Sequence, residues 1–187
     1  MVSDQLSLAL ERALDALSTA GIDHVLIGGM ALNLWRRVRA TRDLDILVLA
    51  ESTDIDALRR SLRDAGFAHH AGGDTVRLDD ALLLQFWWPI RALGMSLKLD
   101  VLSGRLPFHA QVLARKRSVT LHDRGVPVAS PEDLILLKLI ARRPIDLSDA
   151  EELYRLHRAT LDEQYLLATA AKLGIRERLA QIADSTT

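Results

Sequence analysis

The segment from residue 24 to residue 49 constrains the fold more than any other part of the chain. Residues 24–27 have the composition of a short buried strand, which Gly28-Gly29 ends. Residues 30–35 have a helical pattern, and residues 44–49 form a second apolar strand, entered through Asp43. Strand, helix and strand in so short a space predict an α/β fold.

The rest of the chain divides into a strand-rich part and a helical part. The further strands are expected over residues 67–70, 75–78, 82–87, 95–102, 118–121 and 126–128. Pro89 is expected to stop the third of them, and Asp123-Arg124-Gly125 to turn the chain between the last two. Ser130 can cap a helix that has proline and acids in its first turn.

We therefore predict a mixed sheet flanked by helices, of the α/β (α+β) class. An α/β domain would cover residues 1–129, and a C-terminal helical region packed against it would cover residues 130–187. Within the helical region, Pro144 and Gly174 are expected to separate successive helices.

Composition excludes several classes of protein. Of 187 residues, 49% are hydrophobic and 26% charged, which is typical of a globular protein and not of a disordered one. The absence of cysteine excludes disulfides, thiolate zinc sites and cysteine nucleophiles. A net charge of −1 gives no overall attraction to nucleic acid. Without a secretory signal or a membrane-spanning run, we expect a cytoplasmic protein with no membrane partner.

Asp43 and Asp45 stand at the start of the second strand. Side chains at i and i+2 of a strand share a face, so both carboxylates point the same way while Leu44 and Ile46 face the core. Adjacent carboxylates repel, and the pKa of one should rise unless a cation lies between them. Oxygen ligands without cysteine or paired histidine favour Mg²⁺ or Mn²⁺. The alternative is a pair of exposed acids at a sheet edge.

Asp100 and the pair Gly28-Gly29 are residue types suited to the same site. Asp100 lies in the apolar strand 95–102, where alternation puts it on one face with Lys98. An acid within an apolar strand costs free energy unless a metal or a neighbouring arginine partners it. Gly28-Gly29 lies between a strand and a helix, where backbone N–H groups can approach a phosphate, although a tight turn without a ligand is the alternative.

In order and spacing, these features resemble the DNA-polymerase-β-like nucleotidyltransferase superfamily. Its signature is a hydrophobic residue, Gly, then Gly or Ser, followed about a dozen residues later by acid-hydrophobic-acid. Here the signature reads Ile27-Gly28-Gly29 and Asp43-Leu44-Asp45, with Asp100 as the third carboxylate. The chain is similar to small bacterial members: minimal, aminoglycoside and lincosamide nucleotidyltransferases, and abortive-infection toxins. One departure is Met30, where many relatives have a serine that helps to hold the triphosphate.

The resemblance implies metal-dependent transfer of a nucleoside monophosphate from an NTP to an acceptor, which is a small molecule, an RNA or a protein. Asp43 and Asp45 would hold two Mg²⁺ or Mn²⁺ ions, and Asp100 would bind the ion nearer the acceptor or assist as general base. Backbone N–H groups of Gly28 and Gly29 would contact the β and γ phosphates.

Several cations stand near these residues in the sequence. Arg39 and Arg42 precede Asp43 and are candidates to contact phosphates, the alternative being a solvated helix end. Lys138 interrupts an apolar helix face, and the resemblance favours a lysine aimed at the nucleotide over one that snorkels at the helix edge. Arg142 and Asp146, about one turn apart, predict a supporting ion pair.

Two functions stay open. One is an active transferase, with a role as the toxin of a toxin–antitoxin pair. The other is a non-catalytic member of such a pair that binds nucleotide or a partner protein. A cognate antitoxin or toxin is therefore a candidate partner in either case. The presence of all three acids favours the enzyme, because a binding module has no reason to bring carboxylates together.

Overall fold

The computed structural model describes residues 2–35, 41–68 and 75–185. The helices are α1 (Val2–Thr19), α2 (Gly28–Leu34), α3 (Ile55–Asp64), α4 (Pro107–Ala114), α5 (Pro131–Ala141), α6 (Pro144–His157), α7 (Glu163–Lys172) and α8 (Arg176–Ser185). The strands are β1 (Val25–Ile27), β2 (Asp43–Leu49), β3 (Thr75–Arg77), β4 (Ala81–Ile90), β5 (Met95–Gly104), β6 (Arg117–Leu121) and β7 (Arg124–Val128).

The strands form one mixed sheet in the order β3-β4-β5-β2-β1-β7-β6. The pairs β2–β5 and β1–β7 are parallel, and the other neighbours are antiparallel. Helices α2 and α4 pack against β2 at the centre of the sheet. The predicted class, a mixed sheet flanked by helices with a helical C-terminal part, is confirmed.

Strand β4 is longer than the sequence predicted, because it continues through Pro89 to Ile90. Trp87 exchanges both backbone hydrogen bonds with Ala68, on the side of β4 that faces away from β5. Pro89, two residues further on, turns its nitrogen to that same outer side, where a missing N–H does not interrupt the β4–β5 ladder. The strand predicted over residues 67–70 is represented by the bridge between Ala68 and Trp87, and residues 69–70 lie outside the described residues.

The hairpin formed by β6 and β7 turns earlier than predicted. Its loop is His122-Asp123, both with positive φ, at 46° and 64°. A two-residue loop with positive φ at both positions matches the right-handed twist of the strands. Arg124 and Gly125, which the sequence assigned to the turn, are the first two residues of β7 instead.

The helical part begins as predicted. Ser130 accepts a hydrogen bond from the backbone N–H of Asp133 and caps α5. Pro144 begins α6, and Gly174, with a φ of 66°, separates α7 from α8. The buried apolar side chains of the described residues form one cluster, to which the strands and the C-terminal helices both contribute. The domain boundary at residues 129 and 130 stays a prediction. Across the described ranges, no helix has the length and apolar character needed to cross a membrane.

Candidate active site

The parallel pairing of β2 with β5 brings the predicted acids together. Asp45 is the register partner of Asp100, and Asp43 is that of Lys98. Register partners on neighbouring strands have their side chains on the same face of the sheet. The opposite face is core, because Leu44 and Leu99 between these residues are fully buried. Three acids and one lysine therefore project from the same patch of the sheet.

Asp45 experiences strong repulsion in this patch. Burial is the largest cause of a raised pKa at Asp45, and the negative charges of Asp100 and Asp43 raise it further, to about 6. The charge of Lys138 and a hydrogen bond from the backbone N–H of Gly29 act in the opposite direction but do not cancel the rise. At neutral pH this carboxylate is charged at a cost in free energy, which a nearby cation would relieve.

The Gly-Gly turn fixes the position of Asp45. Gly28 has a φ of 66°, and a Cβ atom there would lie 2.0 Å from Asp45 Oδ2. The N–H of Gly29 donates to the same carboxylate. Because β1 pairs with β2 so that Ile27 is opposite Asp45, the turn after Ile27 passes directly over the acid. Contact of Gly28 and Gly29 with phosphates stays a prediction.

Two donors hold Asp100. The Lys98 ammonium lies 2.7 Å from Asp100 Oδ2, and the amide of Gln85 on β4 donates to Oδ1 at 3.1 Å. The arginine partner that the sequence offered as the alternative to a metal is therefore a lysine two residues away on the same strand. The sequence signal was present in the alternation of β5, which placed Lys98 and Asp100 on one face.

Lys98 interacts with all three acids. Burial lowers its pKa, but the hydrogen bond to Asp100 and the charges of Asp100, Asp43 and Asp45 outweigh burial, and the net shift is upward. The Lys98 ammonium is thus a positive charge within the acidic patch. Lys98 was recognised from the sequence only as a neighbour of Asp100 on its strand face, with no role of its own.

Lys138 belongs to a second, buried charge cluster. Its ammonium lies 2.8 Å from Asp146 Oδ1 and 2.9 Å from Asp149 Oδ2, and both carboxylates have no exposed side-chain surface. This cluster is close enough to the acidic patch for the charge of Lys138 to lower the pKa of Asp45. The sequence did not identify Asp149 as a partner of Lys138, because the two residues lie on different helices.

The predicted ion pair between Arg142 and Asp146 is wrong. Arg142 ends α5 in the left-handed conformation, with a φ of 65°, so the chain changes direction there. Arg143 binds Asp146 instead, through Nε at 2.6 Å and Nη2 at 3.1 Å. The hydrogen bond to Asp146 raises the pKa of Arg143, and the charges of Asp45 and Asp149 add to it. Arg143 is therefore a further cation beside the acidic patch.

The remaining predicted residues lie at the margin or outside the description. Arg42 is exposed directly before Asp43. Arg39 falls in the segment 36–40, outside the described residues. Met30, which replaces the serine of many relatives, is buried in the hydrophobic core, so its side chain is not presented to a ligand.

The acids have the donor chemistry of a site for Mg²⁺ or Mn²⁺. Asp43, Asp45 and Asp100 supply only oxygen ligands, and burial together with the charges of Asp100 and Asp43 raises the pKa of Asp45. No group of three or more His, Asp or Glu side chains in the described part of the chain is already arranged around one point as a metal site. The residues fit a divalent cation by charge and ligand type, provided that Lys98 leaves Asp100.

Comparisons with known proteins concern the family and the fold of this chain. A family model described as "Nucleotidyl transferase AbiEii toxin, Type IV TA system" matches residues 12–184. No curated protein sequence matches the chain.

Three solved structures of different proteins are similar in fold to this chain. The antibiotic-resistance factor ANT(2'')-Ia has a TM-score of 0.60 and 18% identity, and the match covers 99% of this chain and 98% of that one. JHP933 from Helicobacter pylori has a TM-score of 0.54 and 17% identity, covering 97% and 92%. The lincosamide antibiotic adenylyltransferase LnuA has a TM-score of 0.50 and 17% identity, covering 79% and 96%. At such identities the likeness establishes the fold.

Proposed function

This chain belongs to the AbiEii nucleotidyltransferase toxin family of type IV toxin–antitoxin systems, and from that premise we propose the reaction and the residues that perform it. The protein transfers a nucleoside monophosphate from an NTP to an acceptor, and the reaction requires Mg²⁺ or Mn²⁺. The acidic patch of Asp43, Asp45 and Asp100 is its active site. The family favours this enzyme over the non-catalytic member that the sequence left open.

The observation that carries the proposal is the pairing of Asp45 with Asp100 across β2 and β5, with Asp43 on the same face. Folding buries Asp45 and brings it close to two other negative charges, and burial first and then this repulsion raise its pKa to about 6. A structural role would not require three acids at one place, because each charge makes the others less favourable. A bound divalent cation would offset this repulsion and would take carboxylate oxygens as ligands.

In this proposal, Asp43 and Asp45 share one task and Asp100 has another. Asp43 and Asp45, on one strand, would hold the metal ions, and Asp100, on the neighbouring strand, would hold the ion nearer the acceptor. The ions would supply Lewis acidity and charge neutralisation at the transferred phosphoryl group. Asp100 would also accept the proton of the acceptor hydroxyl. Gly28 keeps Asp45 in position, because any larger residue would displace its carboxylate.

The surrounding cations would orient the triphosphate. Arg42 lies beside Asp43 at the surface, and Arg143, with 69% of its side chain accessible, lies beside the patch and also binds Asp146. Guanidinium groups bind phosphate oxygens in a bidentate manner. Lys138 is more buried and bound to two acids, so we assign it to the electrostatic support of Asp45 and the nucleotide. The N–H groups of Gly28 and Gly29 remain candidates for phosphate contact.

The toxin role follows from the family. We propose that unregulated nucleotidyl transfer to a cellular acceptor is the toxic activity and that a cognate antitoxin counters it. The acceptor of ANT(2'')-Ia or LnuA is not carried over to this chain, because the likeness to both extends only to the fold. LnuA is described as an adenylyltransferase, so ATP is the first nucleotide to test.

The test is transfer of label from each of the four α-³²P-labelled NTPs. The purified protein is incubated with Mg²⁺ or Mn²⁺ and, separately, with total RNA, total protein or a small-molecule extract. We expect labelling of one fraction by wild type, no labelling by Asp45→Asn or Asp100→Asn, and full labelling by Asp64→Asn, an exposed acid at the end of α3. Label transfer that survives Asp100→Asn, or that is insensitive to EDTA, would contradict the proposed site.

A further inference from the structure

We infer that Lys98 is an exchangeable internal counter-ion that occupies Asp100 until a divalent cation displaces it, and that this lysine thereby sets the metal affinity of the site. The inference rests on the proposed function, because it presupposes that the acidic patch binds a metal ion. It adds a residue to the site that acts on the metal without being a ligand.

The geometry shows competition for the same carboxylate. Lys98 Nζ lies 2.7 Å from Asp100 Oδ2, and Gln85 Nε2 lies 3.1 Å from Oδ1, so each oxygen of Asp100 already accepts a donor. A metal ion needs at least one of these oxygens. Gln85 is neutral, and its amide oxygen or nitrogen does not repel a cation as an ammonium does. Lys98 is therefore the donor that opposes metal binding.

The Lys98 side chain has the freedom to move away from Asp100. Its side chain is 33% exposed, whereas that of Asp100 is 15% exposed. The ammonium stands at the end of a flexible four-carbon chain, so it can move toward solvent without a change in the backbone of β5. Asp100 lacks that freedom because it is shorter and more buried. Exchange of the cation on a fixed carboxylate thus requires only rotation of the lysine side chain.

The position of Lys98 within the patch distinguishes it from an ordinary surface ion pair. It is the register partner of Asp43 and the neighbour of Asp100 on the strand face that also carries Asp45. An ammonium placed among three carboxylates lowers their mutual repulsion in the metal-free protein. Once a divalent ion takes over that role, the ammonium becomes a like charge beside it. The same residue therefore stabilises the metal-free site and weakens metal binding.

The inference is tested by direct measurement of Mn²⁺ binding, without nucleotide, by electron paramagnetic resonance of the free ion. Lys98→Met should tighten the Kd about tenfold, a change of about 1.4 kcal/mol. Lys98→Arg keeps a positive charge beside Asp100 and should stay near wild type. The matched control is Lys116→Met, which removes a lysine paired with Asp23, away from the acidic patch, and should leave the Kd unchanged.

The outcomes separate the two claims. If Asp100→Asn weakens Mn²⁺ binding but Lys98→Met binds no tighter than wild type, the counter-ion inference is wrong and the proposed active site stands. If wild type binds no Mn²⁺ in a manner that depends on Asp100, the proposed site fails and the inference fails with it. Because Lys98 is partly exposed, we expect the variant to fold, and Lys98→Gln gives the same comparison with a polar side chain.

Discussion

Replacing Gly28 by alanine separates the conformational role of this glycine from its contact with the Asp45 carboxylate. A Cβ atom at residue 28 would lie 2.0 Å from Asp45 Oδ2 and 2.5 Å from Cγ, which is well inside van der Waals contact. The backbone there also has a φ of 66°. Gly174 offers a matched control, because it has the same φ of 66° with no atom within 4 Å of an added Cβ.

The expected magnitudes follow from this difference. A left-handed residue other than glycine costs about 1–2 kcal/mol. The lower entropy of the unfolded chain offsets about 0.4–1 kcal/mol of that cost. Gly174→Ala should therefore lower the free energy of unfolding by about 1 kcal/mol. Gly28→Ala must in addition displace the Asp45 carboxylate from the Gly29 N–H, and a lost buried hydrogen bond adds about 1–3 kcal/mol.

The loss of stability is measured by urea unfolding in EDTA, followed by circular dichroism. The effect of the displaced Asp45 carboxylate on turnover is measured by transfer of label from an NTP. Displacement of a reacting group by about 1 Å can lower turnover about 100-fold. We expect that loss in Gly28→Ala, and wild-type turnover in Gly174→Ala. Equal stability and equal activity of the two variants would refute the claim that Gly28 is required by its contact with Asp45.

Three other predictions concern charge and capping. In EDTA and above pH 6, the free energy of unfolding of Asp45→Asn should exceed that of wild type by up to about 3 kcal/mol. The reason is that the pKa of Asp45 is raised to about 6 in the folded protein, so ionisation of this acid opposes folding. The difference should disappear as the pH falls from about 6 to about 4 in the same urea titration, and a constant difference would contradict the raised pKa. Lys138→Met should lower the free energy of unfolding by about 3–5 kcal/mol, because Asp146 and Asp149 lose the buried ammonium that they share. Thermal unfolding measures this loss, and a loss below about 1 kcal/mol would show that the two acids tolerate removal of the lysine. Ser130→Ala should lower the free energy of unfolding by about 1 kcal/mol, because α5 loses its N-terminal cap. Urea unfolding measures this loss, and an unchanged midpoint would argue against a stabilising cap.

Local sequence determined much of the framework on which the site is built. The alternation of apolar and polar residues placed Asp43 and Asp45 on one face of β2, and Lys98 with Asp100 on one face of β5, because a strand has a two-residue repeat. The Ser130 cap and the glycine at residue 174 likewise act within one turn of the chain. The order of these features also carried the resemblance to nucleotidyltransferases, which the family match confirms.

Tertiary structure decided which of these residues meet. Nothing local to β2 or β5 fixes that they run parallel, or that Asp45 pairs with Asp100 in register. The ion pairs of Lys138 likewise depend on tertiary structure. Its partners Asp146 and Asp149 lie on the next helix, whose direction depends on the left-handed turn at Arg142. Periodicity within a segment is set by backbone geometry, whereas strand order, register and long-range charge pairs are set by how the whole chain buries its apolar faces.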